Sequence, residues 1–299
     1  MAESKGLTFA FPSGKSMQEP TLALFEAAHI KIDRPHSRLC TANVSGLPGI
    51  DRVAFFKPSQ IPALVSAGDM ALGITGHDAL LETEERDNIA TIVDLRYSRA
   101  TAGLTRCVIF ARDETDASLE ALNDAEIISE YPNETRIFLE QHGISATIVP
   151  CSGSAESFVA IGRYKFGVTL TETGTSLRVN DLKEVAEVFA SQMVLIANGE
   201  LYRANSDFRD SADFLGSLLW GVLDARGKVY LLMNAPASRV EEIRNILPAL
   251  RSPTVQPLAD PAYCSIGSVV PTSEINELKR RLKELGAGGF VELDPGSVM

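Results

Sequence analysis

The sequence predicts an α/β protein of two lobes followed by a separate ferredoxin-like domain at the C-terminal end. Three observations carry that expectation. Short apolar runs alternate with helix-like segments through the first two thirds of the chain, the pattern of a mainly parallel sheet covered by helices. Several of these runs end in small, polar or glycine-containing turns, the places where α/β proteins hold ligands. From about Lys228 the order becomes strand, helix, strand, strand, helix, strand, which is the βαββαβ signature.

Strands are expected at Leu7 to Phe11, Arg52 to Phe56, Ala71 to Thr75, Ile89 to Leu95, Cys107 to Ala111, Glu126 to Ser129, Ala146 to Pro150, Phe166 to Leu170 and Met193 to Ala197. Helices are expected at Met17 to Ala28, Ser59 to Ala67, Tyr131 to His142, Ser154 to Ile161 and Phe208 to Arg226. In the last 75 residues or so, a typical size for a small domain, the strands are VYLLMNAP, Ser252 to Leu258, YCSIGSVV and GFVEL. The helices there are SRVEEIRNILPAL and SEINELKRRLKELGA. Pro257, Asp260 and Pro261 mark the turn between the two middle strands, and Gly286 suits a helix C-cap.

A chain of 299 residues exceeds one typical domain, and 45% apolar with 22% charged residues is an ordinary globular composition. No uninterrupted apolar run reaches the roughly 18 residues that a membrane span needs, and the start, MAESKGLTFAFPSGKS, does not read as a secretory signal. A cytoplasmic protein with no membrane partner is expected. Cys40, Cys107, Cys151 and Cys264 are far apart and share no zinc spacing, so they read as reduced and mostly buried thiols. A net charge of −11 opposes a nucleic-acid partner, but not a small anion held by local amides and a few cations.

The turn with most chemistry is TETGTSLR, Thr171 to Arg178. Thr173, Thr175 and Ser176 offer hydroxyls, Gly174 allows close backbone approach, and Arg178 adds a cation, all suited to phosphate oxygens. The same residues also make an ordinary strand-to-helix turn. CSGSAES offers Gly153 with Ser152 or Ser154 as a helix cap and Glu156 in the first turn. PSGKS places Lys15 at the mouth of the first strand without Walker spacing, and GITGHD, Gly73 to Asp78, brackets Asp78 with glycines. His29, His36, His77 and His142 share no metal spacing, and His29 and His142 fall at apparent helix C-termini.

Taken in order, LTFAFPSGKS, IPALVSAGDMALGITGHDALL, ISEYPNETRIFLEQHGI, SGSAES, TETGTSLRVNDLKEV, RSPTVQPLADPAYCSIGSVV and LKELGAGGFVEL resemble the long-form ATP phosphoribosyltransferases, nearly end to end. The resemblance implies two periplasmic-binding-protein-like lobes, 1–97 with 188–224 and 98–187, and an ACT-like regulatory domain at 225–299. It implies transfer of phosphoribosyl from phosphoribosyl pyrophosphate (PRPP) to N1 of ATP, with Mg²⁺ held mainly through substrate phosphates. It further implies histidine as effector and a dimer or hexamer. By the same resemblance Thr169, Thr173, Gly174, Thr175, Ser176 and Leu177 would hold the donor. Ser13, Gly14, Gly73, Thr75, Gly76, Tyr131, Ser152, Gly153 and Ser154 would frame nucleotide and pyrophosphate, with Lys15, Lys57 and Glu156 in catalytic roles. Asn234, Thr254, Leu258, Tyr263 and Ser265 would lie near an effector pocket.

The chain departs from the family's pattern at several crevice positions. Where the pattern reads ADAIVDLVETGTTL this chain reads YKFGVTLTETGTSL, so Lys165 and Thr169 stand at two aspartate positions. RPxDIP becomes KPSQIP, with Lys57 and Gln60, DLGITG becomes ALGITG, with Ala71, and NGL becomes Asn180, Asp181, Leu182. Three readings stay open: an enzyme that compensates through groups such as Glu156 or Glu172, a paralogue with another base or azole acceptor, and a non-catalytic binding homologue.

Overall fold

The computed structural model describes residues 8–84, 86–97, 104–248 and 252–299, and the chain divides into two compact units, Met1–Gly216 and Ser217–Met299. Of the expected elements, Leu7 in the first strand and Ala249 and Leu250 in one C-terminal helix lie outside the described residues. The first unit begins β1 (Thr8–Pro12), α1 (Lys15–Ala27), β2 (Lys31–Asp33), β3 (Thr41–Ser45), β4 (Arg52–Phe56), α2 (Ile61–Ser66), β5 (Leu72–Gly76), α3 (His77–Glu82) and β6 (Ile89–Leu95). It continues β7 (Thr105–Arg112), β8 (Glu126–Ser129), α4 (Pro132–Gln141), β9 (Thr147–Pro150), α5 (Ala155–Ala160), β10 (Phe166–Thr171), α6 (Thr175–Val179) and β11 (Leu182–Ser191). It closes with β12 (Met193–Asn198), α7 (Gly199–Ala204) and α8 (Ser206–Ala225), and the division between units falls inside α8.

Two sheets organise this unit. The first has the order β2-β3-β4-β1-β5-β12-β6 and the second β11-β7-β10-β8-β9. The expectation of mainly parallel sheets is corrected: both are mixed. In the first, β1 pairs in parallel with β4 and β5, while every other pairing is antiparallel. In the second, β8 runs parallel to β9 and β10, while β7 is antiparallel to β10 and β11. A parallel neighbour needs a long crossover, and β11 passes to β12 through Gln192 alone. β12 therefore enters the first sheet straight from the second, against the direction of β5. The unpredicted strands β2, β3 and β11 account for much of the antiparallel pairing.

Apolar alternation explains why the sheets are covered on both sides. On β7, Cys107, Ile109 and Ala111 face one apolar cluster while Val108 and Phe110 face another. In the first sheet Ala10, Val194 and Ile196 pack with Ile61 and Val65 of α2. Gly73 belongs to this contact, because a Cβ there would stand 2.5 Å from Ile61 Cγ2 and 3.0 Å from Val65 Cγ2. Phe9, Phe11, Phe25 and Phe55 meet in edge-on or tilted pairs, geometries worth about 0.5–1.5 kcal/mol beyond the area they bury.

In the second unit the chain runs β13 (Lys228–Pro236), α9 (Val240–Ile246), β14 (Thr254–Pro257), β15 (Tyr263–Pro271), α10 (Ile275–Glu284) and β16 (Gly288–Leu293). The sheet order is β14-β15-β13-β16, all antiparallel, which is the ferredoxin-like arrangement expected. Leu231, Met233, Ala235, Cys264 and Ile266 bury one face against Ile243, Leu278 and Leu282 of the helices. Gly286 follows α10 with φ of 84°, a conformation that an L side chain rarely adopts.

Replacing Gly73 by alanine is expected to cost about 1–3 kcal/mol through overpacking against α2, and calorimetry will read this as a Tm lower by several degrees. An unchanged Tm with lost ligand binding would move Gly73 from the core to a binding role.

Candidate functional site

A cavity of about 810 Å³ opens at the carboxyl ends of parallel strands in both sheets. Its walls are Ser13, Ser16 and Met17 after β1, Lys57 to Ser59 after β4, Asp78, Ala79 and Glu82 on α3, Glu130 and Tyr131 after β8, and Cys151 to Gly153 after β9. Strand ends supply such sites because successive turns there converge on one crevice.

Asp78 is the best-buried carboxylate of the wall, only 7% exposed. Its Oδ1 accepts a hydrogen bond from Ser191 Oγ at 2.7 Å, Ser191 Oγ accepts one from the Asp78 backbone N–H at 3.0 Å, and Tyr131 Oη donates to Oδ2 at 3.4 Å. Ser191 and Tyr131 belong to the second sheet's half and Asp78 to the first, so one carboxylate ties both halves. Nearby, Glu82 accepts from the backbone N–H groups of Asn133 at 3.2 Å and Glu134 at 2.9 Å. It thereby caps the first turn of α4, where orphan donors and the helix dipole favour a negative charge. Arg86 pairs with Glu134 at 2.8 Å. Burial pushes the Glu134 carboxyl above the ordinary carboxylate range, Arg86 opposes that shift and Glu82 adds to it.

Glu130 occupies a second crossing point. Its Oε2 accepts from Thr169 Oγ1 at 3.2 Å and its Oε1 accepts from the Ala155 N–H at 3.3 Å. Ser154 sits at the N-cap of α5 in the left-handed region, φ 65°, and makes no side-chain cap, so the serine cap expected there is replaced by a carboxylate from another turn. Glu130 lay inside a recognised segment, yet sequence reasoning gave it no role.

The turn after β10 is knitted to itself. Thr171 Oγ1 accepts from the Gly174 N–H at 3.0 Å, the hydroxyls of Thr173 and Thr175 are 2.8 Å apart, and Arg178 Nη2 donates to Thr175 Oγ1 at 3.0 Å. Gly174 lies in the left-handed region at φ 67°, a conformation that favours glycine. Leu177 is buried and anchors α6 to the core. Ser176 Oγ donates to Glu156 Oε2 at 2.8 Å.

The structure thus gathers the expected residues into separate groups. Ser13, Lys57, Tyr131, Ser152 and Gly153 line the cavity, with Ser154 next in the chain and Thr169 bonded to its wall through Glu130. Thr173, Gly174, Thr175, Ser176 and Leu177 form the turn with Glu156 beside it. Gly14, at φ 94°, precedes α1, and Lys15 is exposed at the helix start, outside the lining. Gly73, Thr75 and Gly76 are buried on β5 outside the lining, and Thr75 Oγ1 donates to Pro58 O at 2.7 Å, bracing the turn that carries Lys57. Among the departures, Gln60 Oε1 accepts from the Lys57 N–H at 3.3 Å, Lys165 is exposed and Ala71 is buried. In the C-terminal sheet Asn234, Ser265 and Tyr263 stand on the face opposite the core, Asn234 directly across from Ser265, and Thr254 pairs with Gly267 beside them. Leu258 follows β14, its N–H donating to Tyr263 O at 3.3 Å.

Among the described residues no three His, Cys, Asp or Glu side chains are grouped to hold a metal ion, and no helix is long and apolar enough to cross a membrane. The thiols partly correct the expectation of burial, since Cys40 is exposed and Cys151 half-buried, while Cys107 and Cys264 are buried. Burial, and then the Glu130 charge, push the Cys151 thiol up.

Comparison with known proteins bears on this geometry. A family model described as "HisG: ATP phosphoribosyltransferase" matches residues 57–216, and one described as "HisG, C-terminal domain" matches residues 225–294. The chain is similar to the ATP phosphoribosyltransferase of Methanopyrus kandleri, 34% identical over 294 residues that cover 96% of this chain and 97% of that one. It is 32% identical to that of Halobacterium salinarum, covering 95% and 97%. In fold it is similar to the ATP phosphoribosyl transferase (HisG:HisZ) complex from Thermotoga maritima, with a TM-score of 0.59 at 23% identity over 73% of this chain and 98% of that chain.

Timed alkylation at neutral pH, read by mass spectrometry, is expected to label Cys40 first, Cys151 slowly, and Cys107 and Cys264 only on unfolding, since the thiolate is the reactive form. Cys151 reacting as fast as Cys40 would contradict the environment described for it.

Proposed function

Because the chain belongs to the ATP phosphoribosyltransferase family, we propose that the cavity and the turn after β10 together bind PRPP and ATP. In the family's reaction N1 of the adenine attacks C1 of the ribosyl group, the bond from C1 to the pyrophosphate oxygen breaks, and pyrophosphate leaves; this is the first step of histidine biosynthesis. The observation that carries the assignment of parts is the convergence of five strand-end turns on one cavity, with a hydroxyl-rich, glycine-hinged turn on the neighbouring strand.

In this reading the 5-phosphate of the donor sits on Thr173 to Leu177, where it would displace the hydroxyl contacts that the turn now makes to itself and draw on Arg178. Lys57 is the cation among the described lining residues and faces the pyrophosphate, with Lys15 at the rim. Ser13, Tyr131, Ser152 and Gly153 frame the nucleotide. The chain's own part is positioning: holding N1 and C1 in line is worth several kcal/mol of the barrier. Glu156 positions Ser176. The wall is otherwise acidic, with Asp78, Glu82, Glu84 and Glu130, so two polyphosphates would be repelled unless their charge were neutralised. Mg²⁺ carried on the phosphates supplies that neutralisation, and the wall carboxylates suit the waters of such an ion, which rarely occupies an all-protein cage.

For the second unit we read the open sheet face at Asn234, Thr254, Tyr263 and Ser265, with Leu258 at its edge, as the place of a histidine effector, and the assembly as a hexamer built from dimers. Exposed polar groups side by side on adjacent strands support the former.

Incubating the pure protein with ATP, PRPP and Mg²⁺ is expected to yield pyrophosphate and the N1-ribosylated nucleotide; measurable ligand binding with no product would return the chain to a binding role. Histidine at millimolar concentration is expected to raise Tm and lower the rate, as binding to the folded state requires. An unchanged Tm together with an unchanged rate would remove the effector assignment, and light scattering at the mass of a monomer would remove the hexamer.

A further inference from the structure

Glu130 stands where two arguments meet. It lines the cavity, and its carboxylate is bonded to β10, the strand that delivers the turn assigned to the donor phosphate. Thr169, 6% exposed, is two residues before Thr171, whose hydroxyl holds the Gly174 N–H. The single hydroxyl proton of Thr169 is given to Glu130, so Thr169 can only accept from anything else. The carboxylate receives one donor on each oxygen and keeps a second lone pair on each. It is held in one orientation with acceptor capacity to spare.

Asp78, Glu82 and Glu156 are engaged differently. Asp78 takes Ser191 and Tyr131, Glu82 caps α4, and Glu156 takes Ser176. None of these bonds reaches β10. We propose, on the donor-site reading above, that Glu130 binds the vicinal hydroxyls of the ribosyl donor and that Thr169 is its positioning residue. The carboxylate that the family's pattern carries on the strand at position 169 is then supplied here from the turn after β8, one methylene longer and reaching back to the same strand. A pair of adjacent hydroxyls needs acceptors, and an ionised carboxylate makes hydrogen bonds about twice as strong as a neutral oxygen does. Thr169 alone offers no such acceptor, and Glu130 with Thr169 does.

The test compares ribose 5-phosphate with 2-deoxyribose 5-phosphate by calorimetry, alongside turnover of ATP and PRPP, for the wild type, Glu130→Gln, Thr169→Val and the exchange Glu130→Ser with Thr169→Asp. Glu130→Gln keeps an oxygen for the Ala155 amide, and circular dichroism checks its fold. The wild type is expected to prefer the ribose sugar by about 10- to 100-fold, the span of a hydrogen bond to a charged group. Glu130→Gln should lose that preference and raise KM for PRPP with KM for ATP within about twofold, and the exchange should restore both. Thr169→Val should shift the same way by less. Wild-type turnover with the ribose preference intact in Glu130→Gln overturns this inference and leaves the family activity standing. No turnover, but a preference that Glu130→Gln abolishes, sinks the ATP reading and upholds this one. Binding of neither sugar phosphate by the wild type overturns this inference, and the absence of turnover as well overturns both.

Discussion

A buried carboxylate between two sheets sets the geometry on which the rest of the site depends. Asp78 begins on the first sheet's side and is bonded to Ser191, the last residue of β11, and to Tyr131, the residue before α4. Removing such a group's partners would leave a charge in a dry place, which costs far more than the net worth of any one bond. The separation of the two walls is therefore held by chemistry that tolerates few substitutes. Gly76, next to it, is glycine because the Asp78 carboxylate folds back over the position a Cβ would take. Glu82 repeats the device one turn further along α3, using charge against the start of α4.

With those distances held, the cavity's polarity becomes intelligible. Its lining is rich in carboxylates and carries Lys57, an unusual lining for polyphosphate ligands unless cations accompany them. The turn after β10, by contrast, presents the hydroxyls of Thr173, Thr175 and Ser176, an αL glycine and an arginine. Carboxylates border both places, four of them on the cavity wall and Glu156 beside the turn, where it takes the Ser176 hydroxyl.

The extent to which the sequence revealed this can be followed in particular elements. Strands such as Arg52–Phe56, Ile89–Leu95 and Glu126–Ser129 were legible because each is a compact apolar run between polar turns. β11 was not. Its register slips between Glu184 and Ala186 and again between Glu187 and Phe189, so its apolar residues lose the period of two and Val185 and Val188 acquire a helix-like spacing of three. β2, at the sheet edge, and β3 beside it are short and polar on one side. The strand-to-helix turn after β10 was legible from local residue types. Glu130 was not, because what distinguishes it is a bond to a threonine 39 positions away, and no local spacing encodes that. Gly73 read as a crevice glycine only because sequence does not say which side of a strand a helix covers.

The place of β12 has a consequence for how the protein is made. β12 lies between β5 and β6, yet nearly a hundred residues, including the whole second sheet, separate it from β6 in the chain, and more from β5. On a ribosome, β5 and β6 emerge early with facing edges unpaired, and they wait until residue 198 has left the exit tunnel before their sheet can close. The second sheet can form meanwhile from neighbours in sequence. Pairing over such separations is slow and leaves sticky edges open. Within the first unit, the order of synthesis therefore makes the first sheet the last to close, and the one that most needs protection while it waits.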